Sequence, residues 1–162
     1  MKKHLLLTFF SLVILIAGPA HADPFSHFKP AYAGVTVGSF HLDSGDFSHA
    51  RRADGSYNNE FNPGVVLGFK TDFNLMNRAS LSIVVKNSHD KTSVFALGYH
   101  EIGRLGPVTT SLALGLASGY RDKSGSDITL VGGFDFIAWN CINVLVVPAR
   151  PIVFGFSVIK QF

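Results

Sequence analysis

Pro107-Val108-Thr109-Thr110-Ser111-Leu112-Ala113-Leu114-Gly115-Leu116-Ala117-Ser118-Gly119-Tyr120 is the stretch that decides the fold. Val108, Leu112, Leu114 and Leu116 share one parity, and Thr109, Ser111, Ala113, Gly115, Ala117 and Gly119 share the other. Side chains alternate across a strand but repeat every 3.6 residues around a helix. The segment therefore reads as a β-strand with one bulky apolar face and one face of small residues.

Working outward, the same period of two marks eight segments of about strand length: Tyr32 to Leu42, Glu60 to Phe73, Arg78 to Asn87, Lys91 to Ile102, Pro107 to Tyr120, Asp127 to Ile137, Cys141 to Pro148 and Val153 to Phe162. Leu81, Ile83 and Val85 stand opposite Ser80 and Ser82, and Phe95, Leu97 and Tyr99 stand opposite Ala96 and Gly98. An even number of strands, each about ten residues long, is what a small transmembrane β-barrel needs. Bulky residues would face lipid and small ones the lumen. The expected fold is all-β, an eight-stranded antiparallel transmembrane barrel; a soluble sandwich or lipocalin-like barrel is the alternative. Phe154, Phe156, Val158 and Phe162 fall on one parity of the last segment, which ends the chain on an aromatic. That resembles the terminal signature read by the outer-membrane assembly machinery.

Composition agrees. The chain has 162 residues, 47% apolar and 15% charged, with a single cysteine and a formal charge of +3. Lys2 and Lys3 precede the apolar run Leu5 to Ala17, followed by Pro19 and Ala20-His21-Ala22. This reads as a secretory signal peptide over residues 1–22, leaving residues 23–162 as the barrel. Removing the two lysines lowers Lys+Arg from 14 to 12 against 11 acidic residues, so the charge falls to +1. No argument for a nucleic-acid partner survives. Cys141 is alone, so no intramolecular disulfide staples the fold. After the leader no apolar run reaches the roughly 20 residues a membrane-spanning helix needs.

The connections are expected to alternate in length. Residues 43–59, 88–90 and 121–126 and the region around Asn140 are assigned to one rim, with 74–77, 103–106 and 149–152 on the other. The segment 23–30 is expected to be a short irregular leader limited by Pro24 and Pro30.

An eight-stranded barrel is too narrow for a pore; its lumen is filled by side chains or holds one small ligand. Gly, Ala, Ser and Thr dominate the presumed inner face, with Lys70 and Asp135 as the main charges. Either a slim guest such as an acyl chain fits, or small residues offset bulky ones elsewhere. His41 ends the first strand, and Lys86-Asn87-Ser88-His89-Asp90-Lys91 forms the turn after the third. A histidine near a serine can act as general base on a hydroxyl attacking an ester; the plain alternative is a pair of solvated turn residues. His49, His89 and His100 lack metal-ligand spacing, and no cofactor is called for.

At these residues the sequence resembles the outer-membrane lipid A palmitoyltransferase (PagP) family. The matching pieces are Ser39-Phe40-His41, Tyr57-Asn58-Asn59-Glu60 with Asn62-Pro63-Gly64, Lys86-Asn87-Ser88, Gly119-Tyr120-Arg121-Asp122, Val146-Val147-Pro148 and the terminal Gln161-Phe162. They run in family order over most of residues 23–162. The resemblance implies a monomeric outer-membrane acyltransferase that moves an acyl chain from a phospholipid to lipid A. It makes His41 the base, puts Ser88 at the ester and assigns Arg121 to headgroup or phosphate. Asn87 stands where the family carries an aspartate, an amide that orients an imidazole without adding charge. The family's chain-length glycine falls near Gly98 or Tyr99; a tyrosine there implies a short chain. Pro63 and Pro148 match prolines that open a lateral lipid path in the family. A non-enzymatic small barrel, acting as adhesin, receptor-masking or structural protein, is the rival reading, and a soluble periplasmic lipid carrier is a third.

Overall fold

The computed structural model describes residues 26–43, 45, 48–51, 55–87, 89–120 and 127–162. The leader 1–22, Ser88 and Arg121 lie outside the described residues. The elements are β1 (Phe28–Leu42), β2 (Phe61–Phe73), β3 (Met76–Val84), β4 (Ser93–Leu105), β5 (Val108–Ser118), β6 (Ile128–Ala138), β7 (Ile142–Val147) and β8 (Ile152–Gln161). They form a closed antiparallel barrel in chain order. β1 closes on β8 from Tyr32↔Gln161 to Leu42↔Ile152, so neither terminal strand presents a free edge over that length. All eight expected strands form, with ends shifted by a few residues at most. β1 begins earlier than expected: Pro30 lies within it, and the missing N–H is absorbed by a register shift between Pro30 and Tyr32.

Antiparallel neighbours put successive connections on opposite rims. The segment after β7, residues 148–151, therefore shares a rim with those after β1, β3 and β5, and the turn at Trp139, Asn140 and Cys141 lies on the opposite rim. This reverses the expected places of those two connections. The rim carrying the long connections is called the upper one below.

Leu112 and Leu114 of β5 point outward, 45% and 61% exposed, while Ser111, Ala113 and Ala117 face the lumen. Val35, Val65, Leu67, Ile83, Leu130, Phe134 and Val158 continue the outer apolar surface. An apolar exterior this wide exceeds what water-facing monomers usually expose, and an eight-stranded barrel of this kind is compatible with an outer-membrane protein. In β4 the expectation fails: Leu97 and Tyr99 are buried in the lumen, and Ala96 and Gly98 take the outward parity. Bulk alone does not mark the lipid side, because a lumen also needs large residues to fill it.

The lower lumen is packed. The Arg78 guanidinium is ion-paired with Asp135 and donates to Ser111 Oγ at 3.2 Å. Asn143 Nδ2 donates to Asp135 Oδ1 at 2.5 Å. The guanidinium lies over the Tyr99 ring, 4.4 Å from its centroid, and the Tyr99 hydroxyl is 2.8 Å from Ser80 Oγ. Buried Tyr32 packs against Gly68, where a Cβ would overlap the ring. The buried cation is thus Arg78; Lys70, expected inside, is exposed near the lower end of β2.

Candidate functional site

Above the plug the lumen is open. A cavity of about 800 Å³ runs from Tyr99 and Asn143 up to the connections of the upper rim. Its middle is lined by Val66, Val84, Leu97, Val131, Leu145 and Val147, and its upper part by Ser39, His41, Asn62, Asn87 and Tyr120. The walls are mostly apolar because β4, β6 and β7 turn bulky residues inward here while β1 and β8 contribute Thr36, Gly38, Gly155 and Ser157.

His41 is buried, 4% exposed, near the end of β1 and in the cavity wall. A register shift between Thr36 and Gly38 sets the parity that turns Ser39 and His41 inward. The chain after β1 folds back beside the histidine: Ala50 N donates to His41 O at 2.9 Å, and Leu42 bridges His49. Asn87 reaches the same cavity and is 1% exposed. Its side chain is engaged on both ends. Nδ2 donates to Ser93 Oγ at 2.6 Å and Gly119 O at 3.2 Å, and Oδ1 accepts from His89 N at 2.8 Å and Lys91 N at 3.0 Å. An amide has two donors and two acceptor lone pairs, so Asn87 organises its own loop instead of orienting the histidine. Gly119 sits beneath it at φ +83°, and a Cβ there would crowd Ser93 and Asn87. A glycine at position 119 thus has a packing reason.

The asparagines at the start of β2 and just before it have one too. Asn62 Nδ2 donates to Asn59 O at 3.1 Å and Lys86 O at 3.0 Å, and Asn59 Nδ2 donates to Asn87 O at 3.2 Å. Ser39 Oγ donates to Asn62 Oδ1. These bonds tie the β1–β2 connection to the β3–β4 loop and hold His41 and Asn87 around one opening. Asn59 and Asn62 stand three residues apart, so the side chain of the second closes a turn on the carbonyl of the first.

Gly98 lies on the outward parity of β4 with Met76 against it, so it does not line the cavity; the inward residue at that level is Tyr99. Placing Gly98 at the substrate is therefore corrected, and Tyr99 forms the floor. Pro63 sits where the β1–β2 register shifts, and Pro148 follows Val147, the last paired residue of β7. β6–β7 pairing runs from Ala138↔Ile142 only to Phe134↔Val146, whereas β6 pairs with β5 all the way to Ile128. The upper part of β6 is left without a partner on that side. Leu130, outward and 70% exposed, also lines the cavity beside this notch.

No protein-family model, curated protein or solved structure matches the chain.

Proposed function

We propose that this protein is an outer-membrane barrel of the lipid A acyltransferase kind, which takes a phospholipid acyl chain into its upper lumen and transfers it to lipid A. The observation that carries the reading is the blind apolar cavity of about 800 Å³, floored by Tyr99 and Asn143, with His41 in its wall near the open end. Its volume falls within the range of about 300–1,000 Å³ usual for ligand pockets, and a cavity with apolar walls favours an apolar guest over water. The apolar exterior supports placement in a membrane, since a closed barrel satisfies its backbone hydrogen bonds without water. The notch between β6 and β7 offers a route from the membrane into the lumen at the level of Leu130.

In this reading the His41 imidazole accepts the proton of a lipid A hydroxyl as its oxygen attacks the ester carbonyl of the phospholipid. The new acyl–oxygen bond forms, the old one breaks, and the departing lysophospholipid oxygen takes the proton back. Ser88 orients the ester and Arg121 meets the headgroup. Asn87 contributes by holding the β3–β4 loop, as its four side-chain bonds support. Those same bonds favour a second reading, a lipid-binding barrel without transfer, because no carboxylate stands at Asn87 to stabilise a charged His41.

Expression in a strain lacking its own transferase, with the extracted lipid A weighed by mass spectrometry, separates the two. Transfer predicts one added acyl mass, lost in His41→Ala and Ser88→Ala. Unchanged lipid A despite heat-modifiable, folded barrel in the membrane, or full activity in His41→Ala, contradicts transfer.

A further inference from the structure

The described residues that line the cavity include no aspartate, glutamate or lysine, and only two arginines, Arg51 and Arg150. Both lie on connections of the upper rim, Arg51 after β1 and Arg150 between β7 and β8. Both also line a second, smaller niche of about 390 Å³ beside the mouth, together with Asp43, Ala50 and Pro151. Two fixed positive charges thus meet at one end of an apolar slot, where cavity and niche join.

Each arginine is available to a ligand. The Arg51 guanidinium is held against Tyr57, 4.4 Å from the ring centroid, with Nη2 donating to Tyr57 Oη at 2.7 Å and Nη1 to Gly55 O at 3.2 Å. That fixes its plane and leaves further N–H groups over. Arg150 is exposed and makes no hydrogen bond or ion pair among the described residues, and Pro148 and Pro151 restrict the backbone on either side of it. Asp43 is the one carboxylate among the described residues of the niche; its Oδ1 accepts from Gly45 N at 2.7 Å and neither arginine is ion-paired with it. Among the described residues that line the cavity and the niche, two guanidinium groups therefore stand against one carboxylate. Planar guanidinium groups favour phosphate because paired N–H donors match its oxygens.

We propose that Arg51 and Arg150 form a phosphate clamp at the mouth, so that the ligand is a phosphate-bearing amphiphile whose chain occupies the cavity. The chain half of this statement rests on the function proposed above; the clamp does not. The clamp draws on loops after β1 and β7 and is separate from Arg121. It fixes how far a chain can descend, because the phosphate is held at the rim while Tyr99 stops the chain below.

Calorimetric titration of the refolded barrel in a non-ionic maltoside tests the clamp with four probes. These are a monoacyl glycerol-phosphate, the chain-matched monoacylglycerol, glycerol phosphate and inorganic phosphate. The clamp predicts that the monoacyl glycerol-phosphate binds more tightly than the monoacylglycerol, and that the difference shrinks by about tenfold in Arg150→Gln and further in Arg51→Gln/Arg150→Gln. It also predicts that the difference shrinks with added salt, while the monoacylglycerol binds wild type and variants alike. Unchanged heat-modifiability and circular dichroism certify folding of each variant. Equal affinity for the two chained probes, or a difference that survives both substitutions, overturns the clamp. Binding of inorganic phosphate as tightly as the chained probe, lost in the same variants, keeps the clamp but assigns it to free phosphate. Binding of glycerol phosphate with no uptake of either chained probe keeps the clamp and overturns the chain reading, and no binding of any probe overturns both.

Discussion

The lower and upper halves of this lumen are made by the same eight strands, yet they treat polar groups in opposite ways. Below, Arg78 Nη2 bonds Asp135 and Ser111, Asn143 bonds Asp135, and the ring of Tyr99 closes over the guanidinium, whose Nη1 is buried without a hydrogen-bond partner. Above, valines and leucines dominate the walls of a slot whose arginines, among the described residues, sit at the mouth. A buried ion pair adds little net stability, whereas breaking it is costly. One half is filled by its own side chains and the other is open; in the proposed function the first is a stop and the second takes the guest.

The largest effect should come from breaking the plug. Asp135→Ala leaves the Arg78 charge buried and alone, and unfolding in urea from detergent or vesicles should show a loss of about 3–5 kcal/mol. Arg78→Met combined with Asp135→Leu should recover most of that loss, since a matched apolar pair removes both charges. If Asp135→Ala costs less than about 1 kcal/mol, the lower lumen is wet and the contrast between the halves fails.

A second effect concerns what stands outside the wall. Leu114→Arg, mid-strand and outward, should cost about 2–4 kcal/mol when unfolding is measured from lipid vesicles, against about 0–1 for Leu105→Arg beside the lower-rim turn. Equal, small costs at both positions would place the outer face in water.

Restoring a carboxylate at Asn87 should harm the protein. In Asn87→Asp the oxygen replacing Nδ2 faces the Gly119 carbonyl, so the loop loses two donated bonds and gains a repulsion worth about 1–3 kcal/mol. Hydrogen exchange at His89 and Lys91 should quicken, and transfer activity should not rise. Greater activity without loosening would mean that Asn87 addresses His41 after all.

The smallest stability effect belongs to the open half. Val131→Phe grows into vacant space, so unfolding should change by about 1 kcal/mol or less while chain uptake drops sharply. A loss as large as that of Asp135→Ala would show that the upper lumen is as tightly packed as the lower.

Much of this was legible in the sequence, and the failures have physical causes. Alternation in β5 located a strand and its outward face because small and bulky residues there sort cleanly by parity. In β4 the same rule inverted the faces, since Leu97 and Tyr99 fill the lumen and Met76 covers Gly98 outside. Arg78 shares parity with Ser80 and Ser82, so its inward place could have been read, but Lys70 on the neighbouring strand drew the assignment. His41 could be found from its position at a strand end. That Asn87 serves its own loop was legible in part, since its bonds to His89 N and Lys91 N are local turn bonds; the bond to Gly119, which forms only when β5 pairs with β4, was not.

The most direct test of the central claim is the chain-length dependence of affinity for a monoacyl glycerol-phosphate series. Each added methylene should strengthen binding by about 0.8 kcal/mol at most until the chain reaches Tyr99. Beyond that length affinity should stop rising, and Tyr99→Leu should move the break to longer chains. A steady rise through all lengths, or no dependence on length at all, would contradict a slot closed from below by the plug.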